Sequence, residues 1–271
     1  MLALLRNWLR RRRLEQTRIP ASTWRAAMAA LPLADRLNPT ERDRLRDLAT
    51  LFLHEKALEP AGGLEPTPEM GPCIAAQACL PILNLGLDYY RGWSSVILYP
   101  EGFLARHEYT DPNGLVHSGH RPLIGEAWER GPVILSWADV AASAAEPGYN
   151  VVIHEMAHKL DMLTGEVNGL PPLHRNMAVQ EWSRVFNDAY QRLCREVDRG
   201  LPTLLDPYAT DSPGEFFAVI SEAFFTAPDR VLAGYPEVYR QLQAFYRQDP
   251  LARQSVNEHL PASPDLPSPA P

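Results

Sequence analysis

The spacing of hydrophobic residues along this chain changes from a helical period to an extended one and back again. In the first part, apolar residues recur three and four positions apart, which predicts helices over residues 38–55 and about 68–83. Thr40 is predicted to cap the first of these helices, with Asp43 as the reciprocal partner of a capping box.

Shorter apolar runs between turn residues follow, and they are typical of strands. The clearest runs are 95–99 and 133–137, and a weaker hairpin is predicted from 103–109 and 115–117 around an Asp-Pro-Asn-Gly turn. Because an edge strand offers unpaired N–H and C=O groups to an extended peptide, 133–137 could serve that purpose, although an ordinary core strand explains it equally well.

The remainder of the chain returns to helical spacing. Helices are predicted over 179–197, from Ser212 at an N-cap to about residue 226, and over 236–247. Strands that precede a mostly helical half indicate an α+β fold.

Length and tail composition predict a single domain with two tails. The 271 residues are enough to bury a substantial core. Residues 1–20 are predicted to be a basic tail, which the arginine run at 10–13 favours over an amphipathic helix lying on a membrane surface. Residues 258–271, rich in Pro and Ser, are predicted to be disordered. The domain would span 21–257, with a helical part at 21–90, strands and the active-site helix at 91–165, and a second helical part at 166–257.

Charge and cysteine usage narrow the class of protein. The net charge of −7 argues against a nucleic-acid binder, and no apolar run is long enough for a membrane span. Three cysteines without metal-site spacing are expected to be reduced thiols, which predicts a cytoplasmic protein.

Two histidines four residues apart suggest a metal-binding site. His154 and His158 lie on one face of a predicted helix, so both imidazoles can reach one metal ion, and Glu155 between them can reach a water held there. A helix with two ordinary histidines would look similar at these positions, but the apolar run before His154 and Gly165 behind the helix favour the HExxH arrangement of zinc hydrolases.

A catalytic zinc needs a third protein ligand, for which the residues themselves leave three candidates. His174 is the nearest downstream histidine, but the HExxHxxGxxH spacing is absent. Glu215 and Glu222, seven residues apart, share one face of a single helix. Each also has a plain explanation, Glu215 as the last residue of a capping box and Glu222 as a solvated helix position.

Several segments together resemble the Mlc titration factor A family of zinc peptidases. The likeness covers about residues 25–255, and its one local departure is Gly214 in place of an alanine. The segments that carry it are Ile153–Asp161, Asp206–Glu222, Leu80–Leu83, Ile97–Pro100 and Gln248–Leu251.

This resemblance implies a gluzincin-like zincin core with a small mixed or antiparallel sheet. It also implies aminopeptidase-type activity on small peptides and binding to a repressor similar to Mlc, which controls sugar phosphotransferase genes. By the same resemblance Glu215 is the third zinc ligand and Tyr208 assists catalysis.

The expected mechanism is hydrolysis at one Zn²⁺ held by His154, His158 and Glu215. Glu155 would accept the proton of the attacking water, and Tyr208 would donate a hydrogen bond to the developing oxyanion. Asp161 or Glu222 could accept the spare N–H of a ligand histidine. The rival hypothesis is a non-catalytic protein that sequesters a repressor and uses zinc for structure or gating.

Overall fold

The computed structural model describes residues 2–29, 31–101, 106–110, 116–120, 131–143 and 147–257. The helices in these ranges are α1 Leu2–Thr17, α2 Ala21–Ala29, α3 Pro39–Glu55, α4 Met70–Cys79, α5 Trp137–Ala142, α6 Val151–Asp161, α7 Val179–Asp198, α8 Pro213–Thr226, α9 Pro228–Gly234, α10 Pro236–Tyr246 and α11 Pro250–Asn257. The strands are β1 Ala57–Pro60, β2 Ser95–Tyr99, β3 Arg106–Thr110, β4 Val116–His120 and β5 Val133–Ser136. The predicted tail 258–271 lies outside the described residues.

The start of α3 corrects the predicted cap. Asn38, not Thr40, is the N-cap: its side chain accepts from Glu41 N, and the Glu41 carboxylate accepts from Asn38 N. Pro39 occupies the first helical position, where its missing N–H costs nothing. The error was one of register, because an Asn-Pro pair is a stronger start signal than the threonine that follows it.

The main sheet is parallel, which corrects the predicted mixed or antiparallel sheet. Its order is β1-β2-β5, with Leu58 opposite Val96 and Val96 opposite Val133. Parallel neighbours need crossover connections, and α4 lies in the connection from β1 to β2. The antiparallel pairing that the hairpin pattern predicted occurs in the separate β3-β4 pair. Among the described strands, β5 forms one edge of the parallel sheet.

Two helices are buried on almost every side and pack against each other at the centre of the fold. In α8, 12 of the 14 residues are buried, and in α6, 9 of the 11 are buried. Helices buried to this extent lie in the protein interior, where dense packing leaves them little freedom to shift. Aromatic rings from neighbouring helices surround α8, namely Trp182, Phe186, Phe245 and Tyr246.

Residues 2–17, which the sequence analysis assigned to a basic tail, form α1 and pack against α3. Within the described ranges, no helix combines the length and hydrophobicity that crossing a membrane requires.

Candidate metal centre

Helix α6 brings the two histidines of the motif together. Asn150 caps this helix, its side chain accepting from Ile153 N at 2.9 Å. Val152 and Ile153 are buried in the core, and the i, i+4 spacing places the Nε2 atoms of His154 and His158 3.1 Å apart. Both imidazoles are buried, so one point in the interior is reached by two nitrogen ligands.

Helix α8 supplies a carboxylate to the same point. Ser212 caps α8 by accepting from Glu215 N at 3.1 Å, which fixes Glu215 in the first turn. The Glu215 Oε2 atom lies 3.2 Å from His154 Nε2 and 3.3 Å from His158 Nε2. The three residues thus form a cluster of ligand atoms that could hold a metal ion.

The dimensions and chemistry of this cluster fit zinc. Ligand atoms about 2.0–2.2 Å from a tetrahedral ion are about 3.3 Å from one another, close to the three separations here. Glu215 Oε2 is buried and has no hydrogen-bond partner within the described residues, a costly state that a cation would relieve. Two imidazoles and one carboxylate also form a common ligand set of catalytic zinc.

In the metal-free cluster, the pKa values of His154 and Glu215 shift in opposite directions. Burial lowers the pKa of His154, but the Glu215 and Glu222 carboxylates outweigh it and raise this pKa to about 10. Burial raises the pKa of Glu215, but the two histidines outweigh it and bring this pKa to about 2. The cluster therefore holds a proton where a metal ion would place its charge, and metal binding must release that proton.

Glu222 lies behind the cluster and braces it. Its Oε1 accepts from His154 Nδ1 at 2.7 Å, and its Oε2 accepts from Asn150 N at 2.6 Å. A carboxylate on the distal nitrogen fixes the tautomer of a ligand histidine and leaves Nε2 for the metal. Of the open candidates, Glu222 thus occupies a supporting position, while His174 is held elsewhere by the Phe245 carbonyl at 2.8 Å from its Nε2.

Glu155 and Tyr208 flank the cluster. Glu155 follows His154 on α6, is partly exposed, and interacts electrostatically with both histidines and with Glu215. Burial raises its pKa above the ordinary value, which is the direction a general base needs. The Tyr208 ring lies 6.2 Å from the His154 ring, and burial together with the nearby Glu215 carboxylate raises the pKa of the phenol, so it stays a hydrogen-bond donor at neutral pH.

Asp161 supports the cluster differently from the sequence-based suggestion. Its Oδ2 accepts from Gly169 N at 2.7 Å instead of from a ligand histidine. Gly169 has φ +78°, and a Cβ there would lie 2.7 Å from the Pro213 carbonyl oxygen. The loop after α6 therefore packs directly against the first turn of α8, two residues before Glu215.

Gly214 has a packing reason of its own. A Cβ at this position would lie 2.6 Å from Val167 Cγ1 and 3.1 Å from Val167 O. The absence of a side chain at Gly214 lets the same loop approach the start of α8.

A cavity of about 570 Å³ opens beside His154 and Tyr208. Its volume is that of an ordinary small-molecule site. Asp206, Glu222 and Arg230 contribute charged groups to a wall that is otherwise largely apolar. The apolar part includes Val151, Leu205, Val219, Ala223 and Val231.

Two residues that support the site, Asn150 and Gln77, were not predicted from the sequence. Asn150 donates from Nδ2 to Gln77 Oε1 at 2.8 Å, which joins α4 to the start of the histidine helix. An asparagine directly before an apolar helical run is an N-cap signal and could have identified Asn150. Gln77 carries no comparable signal, because its neighbours in α4 indicate only a buried helix.

Comparison with known proteins agrees with this geometry. Residues 5–247 match the family described as glucose-regulated metallo-peptidase M90. The chain is 41% identical over 234 residues to Mlc titration factor A of Yersinia pestis (strain Pestoides F), covering 85% of this chain and 86% of that protein. Mlc titration factor A of Yersinia pseudotuberculosis serotype O:1b gives the same identity and coverage. This chain belongs to the glucose-regulated metallo-peptidase M90 family.

Proposed function

We propose that the protein is a zinc-dependent aminopeptidase acting on small peptides. The observation that carries this proposal is the convergence of His154 Nε2, His158 Nε2 and Glu215 Oε2 within 3.3 Å of one another, with Glu155 and Tyr208 beside them. A closed structural zinc site would have a fourth protein ligand and would typically be rich in cysteine. Among the residues that the structure describes, the cluster has three candidate ligands, none of them a cysteine, which favours a catalytic site.

Each side chain near the cluster has a separate role in the proposed hydrolysis. His154, His158 and Glu215 would hold the zinc ion, which would supply Lewis acidity for the scissile carbonyl and for a water molecule. Glu155 accepts the proton of the attacking water and returns a proton to the departing amine. Tyr208 donates its hydroxyl hydrogen to the developing oxyanion, and Glu222 keeps the His154 ring in the tautomer that leaves Nε2 for the metal.

The cavity and the strand edge define the substrate in this proposal. The cavity beside His154 has room for a small apolar side chain, and Asp206 at its wall offers a negative charge to a free amino terminus. The outer edge of β5 has no strand partner within the described ranges, so an extended peptide can pair with it by main-chain hydrogen bonds.

Release of chromophore from an aminoacyl anilide with a small apolar residue tests the proposal. The purified chain should cleave it, a chelator should stop cleavage, and zinc should restore it. Glu155→Gln should retain zinc but lose about 10²–10⁴-fold in kcat, because a positioned general base contributes that much. Glu69→Gln, a change at an exposed helix-start glutamate, is the matched control and should be fully active. Zinc-independent cleavage, or wild-type activity in Glu155→Gln, would overturn the assignment.

We further propose a regulatory role through an Mlc-like transcription repressor, in the cytoplasm. The name of the two Yersinia relatives supports the partner, and three unpaired cysteines fit a reducing compartment. The test is co-purification of the chain with a tagged Mlc-type repressor. Retention of the repressor by catalytically dead Glu155→Gln would show a separate binding function, whereas no retention by either form would contradict the regulatory role.

A further inference from the structure

Arginines hold one side of α1 to the body of the protein. Arg10 donates to Glu55 Oε1 and to Asp88 Oδ1, both at 2.8 Å, and Arg6 also pairs with Asp88. Leu14, one turn beyond Arg10, packs partly buried against the core. These ion pairs, the packing of Leu14 and a hydrogen bond between Thr17 and His54 orient the inward side of α1.

The outward side of α1 is apolar, the reverse of an ordinary surface helix. Leu5, Trp8 and Leu9 are 54%, 52% and 44% exposed. By the 3.6-residue period they lie within about 100° of one another around the helix, opposite Arg10 and Leu14. Three large exposed apolar side chains on one face are more than scattered surface hydrophobics, and they indicate a contact with an apolar medium or partner.

Positive charge surrounds this apolar face. Arg11, Arg12 and Arg13 are all exposed, and the Arg12 guanidinium lies over the Trp8 ring at 5.5 Å from its centroid. Helix α1 has five arginines and one glutamate, whereas the whole chain carries a net charge of −7. Basic charge is therefore concentrated on this helix.

We propose that the outward face of α1 is a docking surface for an anionic lipid membrane. Helices that lie in a membrane interface combine Leu and Trp on one face with flanking basic residues. A tryptophan side chain favours the headgroup level, and exposed arginines are attracted to anionic headgroups. Charge complementarity selects this occupant over a second copy of the chain, because two copies meeting face to face would bring their arginine clusters together. The protein would then lie on the membrane through α1 and present its acidic body to solvent.

Vesicle flotation of the full-length chain tests this inference. Vesicles of phosphatidylcholine alone are compared with vesicles containing phosphatidylglycerol. The wild type should float with the anionic vesicles, and Leu5→Ser/Trp8→Ser/Leu9→Ser should bind at least about tenfold more weakly. Arg11→Glu/Arg12→Glu/Arg13→Glu should lose binding to a similar extent, and high salt should weaken wild-type binding.

The control variant is Leu201→Ser, which changes a leucine that is 50% exposed outside α1 and should leave flotation unchanged. Circular dichroism and hydrolysis of the anilide substrate should be the same in all variants, since none of these residues contributes to the metal centre. Absence of wild-type flotation, or equal flotation with neutral vesicles, would overturn the proposal. A dimer in sedimentation velocity that the triple serine variant abolishes, without membrane binding, would assign the face to self-association instead.

Discussion

Removing the carboxylate behind the histidine helix should weaken both the fold and the metal site. Glu222 is 3% exposed, and its two oxygens accept from His154 Nδ1 at 2.7 Å and from Asn150 N at 2.6 Å. Asn150 is itself fully buried, so its N–H has no access to solvent that could replace the lost acceptor. The prediction concerns Glu222→Ala and the isosteric Glu222→Gln.

The magnitude follows from these two hydrogen bonds. A hydrogen bond to a charged group is worth about 1.5–3 kcal/mol, so loss of both bonds in Glu222→Ala should lower the free energy of unfolding by about 3–6 kcal/mol. Glu222→Gln keeps the volume, but its amide NH2 replaces one of the two accepting oxygens and faces a donor there, so it should cost about 1–3 kcal/mol. Loss of a carboxylate that orients a ligand histidine typically reduces metal affinity by about 10–100-fold, and both variants should show this loss.

Urea denaturation in the presence of a chelator measures the first quantity, and competition with a chromophoric chelator measures zinc affinity. The alanine variant should unfold at clearly lower urea than the glutamine variant, with an unchanged slope. Glu69→Ala, at an exposed helix-start position, should match the wild type in both assays. If Glu222→Ala unfolded at the wild-type urea concentration and bound zinc equally well, the bracing role of Glu222 would be wrong.

Three further outcomes are expected. Tyr208→Phe should keep the ring packing and the KM but lose about 10²–10³-fold in kcat in the anilide assay, because one hydrogen-bond donor to the oxyanion is removed. An unchanged kcat would exclude Tyr208 as that donor. Zinc affinity should rise about tenfold per pH unit between pH 6 and 9, because the pKa of His154 near 10 requires release of one proton on binding. Titration calorimetry in several buffers counts the released proton. A zinc affinity that does not change with pH would contradict this prediction. Gly169→Ala should lower the melting temperature more than Gly200→Ala. Both glycines have positive φ, but only a side chain at residue 169 would clash with the Pro213 carbonyl. Equal losses in melting temperature would show that this contact is unimportant.

Local signals in the sequence predicted many of the helices and strands. The strand 95–99, the helix cap at Ser212 and the helix from Val179 follow from periodicity and turn residues that act within a few positions. The parallel direction of the main sheet did not follow, because strand direction depends on how the connections cross, which no short pattern encodes.

The candidate site was also predictable only in part. The two histidines could be placed on one face by helical spacing alone, within a single element. The third ligand position could not be chosen from spacing, because Glu215 and Glu222 share a helix face and only the packing of α8 on α6 separates their roles. That packing puts Glu215 at Nε2 of His154 and Glu222 at Nδ1.

The packing of α1 against the body of the protein could not be predicted from the sequence. Its arginine run is typical of a solvated tail, and the partners of Arg10 are distant in sequence, at Glu55 and Asp88. An ion pair between elements has no local signature, so the inward and outward sides of the helix emerge only from the fold.

We propose that two imidazoles of α6 and one carboxylate of α8 hold a single zinc ion. Crystals grown with zinc, measured at energies on either side of the zinc absorption edge, test it directly through the anomalous difference map. One strong peak is expected, about 2.0–2.2 Å from His154 Nε2, His158 Nε2 and an oxygen of Glu215. A peak held by other residues, or none at this cluster in crystals that contain zinc, would contradict the account.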